Sequence, residues 1–173
     1  DSPSVLARFD GTGRVGPEDA AALGLVGPAA RASALERDVR RDHPWGAYRF
    51  QQISVATGFH GDVHARSLVR SIELDRSAEF CRDLLAHPPR GAALASCPRP
   101  RPDRIALALV EAWRGELVHA RVTGKDGRVA AAEIVDPSVH NWFGLALALR
   151  GQGISDFPLC NKSFNLAYAG HDL

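Results

Sequence analysis

Arg31 is the residue whose type and surroundings most directly indicate a buried polar site. It stands among small apolar residues in the stretch Gly27-Pro-Ala-Ala-Arg-Ala-Ser33, where an exposed face is not expected. A buried guanidinium is costly unless a carboxylate pairs with it, so the sequence predicts an ion pair with Asp38 or Asp42. For three neighbouring arginines in charged surroundings the prediction is exposure to water: Arg37, Arg41 and Arg49.

Glu111 and Arg114 form a second charged group, in the run Glu111-Ala-Trp-Arg-Gly-Glu-Leu-Val-His119. An Arg-Gly step between two strands is typical of a hairpin tip exposed to water, and the residues by themselves favour that interpretation. If Arg114 is buried instead, it supplies a fixed cation that stabilises negative charge developing nearby. The residues alone favour exposure and leave burial open as the alternative.

Two other spacings are typical of ligand-binding motifs. Residues 10–16 contain a literal GxGxxG pattern, but a dinucleotide site also needs a parallel strand after the following helix. The next stretch, residues 36–42, is a charged run without strand character, so a tight turn is favoured. His60 and His64 are spaced to share a helix face and hold a metal. Because Gly61 disfavours helix there, incidental spacing is the better interpretation.

Composition narrows the class of protein. The 173 residues suffice for one domain or one lobe of a larger one, and a net charge of +1 gives no overall attraction to nucleic acid. The basic residues do not interleave with aromatic residues, which also argues against a nucleic-acid surface. No stretch approaches the roughly 20 apolar residues of a membrane span. The three cysteines form no CxxC motif and indicate a reducing compartment.

Hydrophobic periodicity predicts an α+β fold. One long helix is expected at about residues 60–87, and a small antiparallel sheet at about residues 104–136. Shorter elements are a strand at 5–9, a helix at 17–25 and a helix ending at Leu149. Ser138 or Asn141 is the predicted cap of that last helix, and residues 88–102, with five prolines, are predicted to be a surface connection.

The segment Ile154–Leu173 is too apolar for a free tail, so it must pack against another part of the protein. It resembles the C-terminus of the nickel-iron hydrogenase large subunit, in the membrane-bound branch related to complex I. There the segment reads roughly Asp-Phe-Pro-Leu-Cys-Asn-x-Ser-Phe-Asp-Pro-Cys-Tyr-x-Cys-Thr-Asp. Residues 23–49, 61–66, 111–119 and 136–142 resemble further blocks of that family. The resemblance implies that residues 1–173 are a single lobe, the C-terminal half of such a subunit, with the N-terminal half absent.

The resemblance also implies what has been lost. The last two cysteines of the family pattern hold the metal, and Ala167 and Gly170 occupy their positions in this chain. Nickel in such a site needs soft thiolate ligands. Cys160 lies too early to replace them and is predicted to be a small buried hydrophobe. No metal or other cofactor is therefore expected in this chain. The family itself uses a nickel-iron centre or quinone, with iron–sulfur clusters in partner subunits.

Three residues are the predicted lining of the vacated site: Arg114, Glu111 and Arg31. The resemblance places Arg114 over the metal centre of working hydrogenases with Glu111 nearby, and places Asp38, Arg40 and Asp42 around the same buried site.

The implied function is that of an oxidoreductase complex subunit, similar to membrane-bound hydrogenases and NADH–quinone oxidoreductases and lacking nickel. Its expected partners are an iron–sulfur small subunit, membrane subunits and quinone, and nucleic acid is not expected. The expected location is the cytoplasm, peripheral on the cytoplasmic membrane. The 173-residue chain alone is expected to be inactive. The alternative is a structural or assembly subunit without a redox site.

Overall fold

The computed structural model describes residues 2–88, 91 and 94–172. These residues form helices around one small antiparallel sheet, as the sequence predicts. In chain order the elements are α1 (Pro3–Phe9), α2 (Pro17–Ala22), α3 (Gly27–Ala32), α4 (Val39–Asp42), α5 (Val63–Ala86), β1 (Ile105–Ala112), β2 (Gly115–Thr123), β3 (Val129–Val135), α6 (Pro137–Ala148), α7 (Phe157–Phe164) and α8 (Tyr168–His171), with 3₁₀ turns at Gly46–Arg49 and Ile154–Asp156.

Helix α5 confirms the predicted long helix and begins at Val63 because Asp62 caps it. The Asp62 carboxylate accepts hydrogen bonds from the amide of Ala65 and from the amide of Gly11, both at 2.8 Å. Asp62 therefore ties the glycine loop after α1 to the start of α5. The helix ends before His87 and Pro88. Pro89, which follows, lies outside the described residues.

The sheet has the strand order β1-β2-β3 with both pairs antiparallel. The pairing of Ala112 with Gly115 leaves Trp113 and Arg114 at a tight turn, so the predicted meander at 104–136 is confirmed. The second turn contains Gly127 at φ 74°, a left-handed conformation that favours glycine. Within the described residues the first strand begins at Ile105, so no parallel strand follows the GxGxxG loop, and the tight-turn interpretation holds.

The main core lies where α6 and α7 pack against the loop and helices of the first thirty residues. Leu25, Leu145 and Phe164 are buried there together with Cys160, which confirms the prediction for that thiol. Gly13 belongs to the same contact, because a Cβ atom built on it would lie 2.5 Å from the Cys160 sulfur. Packing of the core therefore accounts for this glycine of the GxGxxG pattern.

Two local predictions are wrong. Residues 5–9 form part of helix α1 rather than a strand. Pro3 suits the first turn of a helix, and the three strands of the sheet all come from later residues. The cap of α6 is Asp136, whose carboxylate accepts a 2.8 Å hydrogen bond from the amide of Ser138. Ser138 and Asn141 are buried inside the helix and make other bonds.

We predict that Gly13→Ala destabilises the protein much more than Gly11→Ala. Both glycines have positive φ, 59° and 71°, so each substitution carries a conformational cost of about 1–2 kcal/mol. Only the new methyl group at position 13 meets other atoms, and overpacking of that kind adds about 1–3 kcal/mol. Urea denaturation measures the difference, and equal losses for the two variants would contradict the packing role of Gly13.

Candidate functional site

Arg31 is buried at the centre of an ion-pair cluster. Its side chain is 1% exposed, and its Nε and Nη2 atoms donate to the two carboxylate oxygens of Glu73 at 2.5 and 3.0 Å. Its Nη1 atom donates to Glu111 at 2.9 Å and to the carbonyl of Arg37 at 2.8 Å, and lies 3.6 Å from Asp38. The predicted pair with Asp38 is therefore present, and Glu73 and Glu111 are additional partners.

Asp38 links this pair to a second arginine. Its carboxylate receives Arg40 Nε at 2.9 Å and Nη2 at 2.6 Å, and it caps α4 through the amide of Arg40. Asp42 does not contact Arg31 but pairs with Arg41 at 2.8 Å on the surface. We call Arg31, Asp38, Arg40, Glu73 and Glu111 the arginine cluster. It joins α3, α4, α5 and β1.

Glu73 is the member of the cluster that the sequence analysis missed. It lies four residues after the buried Val69 on α5, one helical turn along the face that packs against α3. The sequence signal that could have identified Glu73 is the spacing of its carboxylate from Val69, which places it on the buried face of the helix. Its pairing with Arg31 depends on a contact between residues 42 positions apart.

The charges of the cluster shift the pKa values of its members in opposite directions. Burial, together with the nearby carboxylate of Asp38, raises the pKa of Glu111. The pKa of Asp38 is lowered because the pairing with Arg40 and Arg31 outweighs the effect of burial. Burial opposes the charge of Arg31, but Glu111, Glu73 and Asp38 raise its pKa. The cluster thus contains fixed cations beside one carboxyl group, Glu111, that holds a proton more readily than usual.

A cavity of about 230 Å³ lies beside the cluster, between α5 and the end of β1. Its lining includes Arg40, Arg70, Glu73, Glu111 and Trp113. The cavity therefore offers charged groups, a carboxyl group with a raised pKa and an aromatic face to a small molecule.

Arg114 lies apart from the arginine cluster. Its side chain is partly buried, and its Nε atom donates to the carbonyl of Asn165, just after α7. Its own carbonyl accepts from the side chain of Asn141 at 3.3 Å. Of the three predicted lining residues, the structure brings Glu111 and Arg31 together and places Arg114 against the C-terminal segment. Arg114 lies at a hairpin turn, as its Arg-Gly step indicates, but its side chain packs against the C-terminal segment.

Two further arginines, which the sequence analysis did not identify, also bind the end of α7. Arg66 is buried, donates to the hydroxyl of Ser163 at 2.8 Å and stacks on Phe164 with its guanidinium carbon 4.3 Å from the ring centre. Arg70 donates to the carbonyls of Ser163 and Phe164. Burial lowers the pKa of both arginines to about 10. We call Arg66, Arg70 and Arg114 the arginine clamp.

The cations of the clamp face the carbonyl end of α7, where the helix dipole is negative. Among the described residues, none of the three is within ion-pair distance of a carboxylate. The clamp therefore fixes the segment that leads to Ala167 and Gly170 through three main-chain carbonyls and the hydroxyl of Ser163.

The comparison with known protein families identifies the fold. Residues 1–105 match the family described as the respiratory-chain NADH dehydrogenase 49 Kd subunit, which is more than half of the chain. The chain belongs to this family. The resemblance drawn from the C-terminal segment and the other sequence blocks is confirmed.

Individual members of the 49 Kd subunit family show the same relation. A carbon monoxide-induced hydrogenase of Rhodospirillum rubrum is 35% identical over 164 residues, which cover 95% of this chain and 45% of that protein. An NADH-quinone oxidoreductase subunit of Roseiflexus castenholzii is 30% identical over 188 aligned residues, covering 90% of this chain and 45% of that protein. The chain thus spans about half the length of these relatives.

A solved structure supports the fold over the whole chain. One chain in the structure of the membrane-bound sulfane sulfur reductase, an archaeal respiratory membrane complex, superposes with a TM-score of 0.91 at 27% identity. The match covers 100% of this chain and 49% of that chain. In the part of the chain that the structure describes, no helix is both long and apolar enough to cross a membrane.

The nickel-iron centre that the resemblance to hydrogenases implies does not fit the residues present here. Ala167 and Gly170 carry no ligand atom, and Cys160 is buried in the core against Gly13. Across residues 2–88, 91 and 94–172, no three His, Cys, Asp or Glu side chains are grouped so that they could hold a metal ion.

We predict that Arg31→Ala lowers the free energy of unfolding by about 3–5 kcal/mol, because it leaves Glu73, Glu111 and Asp38 buried without their shared cation. The matched control is Arg41→Ala, which removes a 40% exposed arginine with surface partners and is expected to cost under about 1 kcal/mol. Chemical denaturation of the two variants gives the comparison. Similar losses would mean that the buried cluster contributes no more than a surface pair.

We predict that the stability difference between the natural chain and Glu111→Gln depends on pH. The folded protein holds the Glu111 proton more tightly than the unfolded chain, because its pKa is raised. The contribution of this residue is therefore full below its ordinary value of 4.5 and is lost as pH rises through the raised pKa. Unfolding free energies of both proteins, measured across this acidic window, should converge or cross as pH rises. A constant difference would contradict the raised pKa.

Proposed function

We propose that this chain is a part of the large subunit of a membrane-associated respiratory redox complex and that it serves quinone-type, proton-coupled electron transfer without nickel. The observation that carries the proposal is the arginine cluster, with Glu111 and its raised pKa at the wall of the 230 Å³ cavity. The proposed partners are an iron–sulfur small subunit and membrane subunits. The proposed location is peripheral, on the cytoplasmic side of the membrane.

The chemistry of the cavity suits a quinone headgroup. A quinone carbonyl accepts hydrogen bonds, and it gains negative charge when it is reduced. Arg40 and Arg70 line the cavity as fixed cations that would stabilise that charge. Glu111 also lines the cavity and could supply a proton. Trp113 provides a flat apolar surface for a ring.

The test is quinone reduction by the assembled complex, purified with its partners, carrying Glu111→Gln. This substitution keeps the shape of the side chain and removes its proton exchange. We expect turnover to fall by about 100- to 10,000-fold, the usual contribution of a general acid. Glu133→Gln on the exposed face of β3 is the control and should keep full turnover. Turnover that Glu111→Gln leaves unchanged, in a complex that still assembles, would contradict the proposal.

Metal analysis of the same anaerobically purified complex tests the nickel-free part. We expect iron from partner clusters and no stoichiometric nickel. One nickel per complex would contradict this part, because Ala167 and Gly170 offer no thiolate to hold it.

A structural or assembly role is the second candidate, and the saturation of the cluster favours it. Arg31 donates to two carboxylates and a carbonyl, and Glu111 also accepts from the amide of Val39 at 3.1 Å. A network whose members bind one another serves to join elements without any ligand. The Glu111→Gln complex separates the two functions, since a structural role predicts lost stability with normal turnover.

A further inference from the structure

The position that carries a metal-binding cysteine in the resembled hydrogenases is filled from the opposite side in this chain. Gly170 is buried in α8, next to the first turn of α6. A Cβ atom built on Gly170 would lie 2.5 Å from Cγ of Asp136 and 2.8 Å from each of its carboxylate oxygens. A Cβ atom does not approach nonbonded atoms so closely, so any side chain at position 170 would have to displace Asp136.

Asp136 is not free to move aside at low cost. Its Oδ1 atom accepts the amide hydrogen of Ser138 at 2.8 Å and so caps α6. A cap of this kind satisfies one of the unpaired amides at the helix start, and its loss weakens the helix. The carboxylate is therefore held in the space that a larger residue at position 170 would need.

The same turn of α6 holds the other substituted position. The amide of Ala167 donates to the hydroxyl of Ser138 at 2.9 Å, and the Ser138 side chain is fully buried. Two consecutive contacts, Ser138 with Ala167 and Asp136 with Gly170, thus fix the segment that would otherwise present ligands to a metal.

We propose that Asp136 and Ser138 form a latch that holds the C-terminal segment by a hydrogen bond and close packing, in place of metal coordination. Asp136 and Gly170 are a matched pair in this latch, since the carboxylate fits only opposite a residue without a side chain. The latch explains how the C-terminal segment is held in a protein without nickel, and so this inference rests on the nickel-free part of the proposed function. Its physical test does not depend on redox activity.

The first consequence is that two cysteines alone cannot recreate a metal site here. Cysteine adds both a Cβ atom and a sulfur at position 170, and the Cβ atom already overlaps Asp136. A thiolate at position 170 fits beside one at position 167 only when residue 136 is smaller. Asp136→Ser provides that room and keeps a hydroxyl group that can cap α6.

The closing experiment is a double-mutant cycle on the 173-residue chain, read by thermal unfolding. Gly170→Ala alone should lower Tm by about 5 °C or more, the usual effect of overpacking in a chain of this size. In the Asp136→Ser background the same substitution should lower Tm by less than about 2 °C, because the methyl group then has space. Gly124→Ala is the control, since its Cβ atom would meet nothing closer than 3.4 Å.

A metal titration gives a second readout that a general loss of stability would not imitate. Cadmium ion alone is the probe, because thiolate–cadmium bonds have a characteristic ultraviolet absorption. The variant with Ala167→Cys and Gly170→Cys should show little of this absorption, and addition of Asp136→Ser should increase cadmium affinity at least tenfold. Chelator should leave Tm of the natural chain unchanged.

Either of two results would overturn the latch. One is a Gly170→Ala penalty that is equal in both backgrounds, and the other is cadmium affinity that does not depend on residue 136. Failure of the latch would leave the quinone test with Glu111→Gln unaffected, and loss of quinone activity would leave the cycle unaffected. The two proposals therefore fail separately.

Discussion

The buried guanidinium of Arg31 is the interaction on which the arrangement of this chain most depends. It binds carboxylates from α4's cap, from the middle of α5 and from the end of β1, so four elements meet at one side chain. A buried cation tolerates few alternative arrangements, because each donor needs an acceptor at hydrogen-bond distance. The sheet is thereby held in a fixed position relative to the helices, and the wall of the cavity is part of the same network.

The chain uses its buried arginines in two ways. Arg31 and Arg40 pair with carboxylates, which raise the pKa values of both arginines although burial alone would lower them. Arg66 and Arg70 instead donate to hydroxyl and carbonyl groups at the end of α7, and burial lowers their pKa values to about 10. The first arrangement places balanced charge at the cavity. The second leaves positive charge near the C-terminal segment, where the carbonyls of a helix end offset part of it.

Much of the fold was predictable from local pattern, because the long helix and the meander each carry their own periodicity and turn residues. The burial of Arg31 was predictable for the same reason, since its neighbours in sequence are small and apolar. Its main partner Glu73 and the inward packing of Arg114 depend on contacts between distant elements, which periodicity does not specify. Residues 5–9 were mistaken for a strand because a short apolar run does not distinguish strand from helix.

The C-terminal segment contacts the rest of the fold at both positions where the resembled hydrogenases carry metal-binding cysteines. A buried main-chain amide and the start of a helix both need hydrogen-bond partners. Here Ser138 supplies an acceptor for the amide of Ala167, and Asp136 takes the room beside Gly170. The arginine clamp fixes the preceding turn from the other side. A segment held in this way by side chains of the fold needs no metal to keep its position, which is the physical basis of the proposed latch.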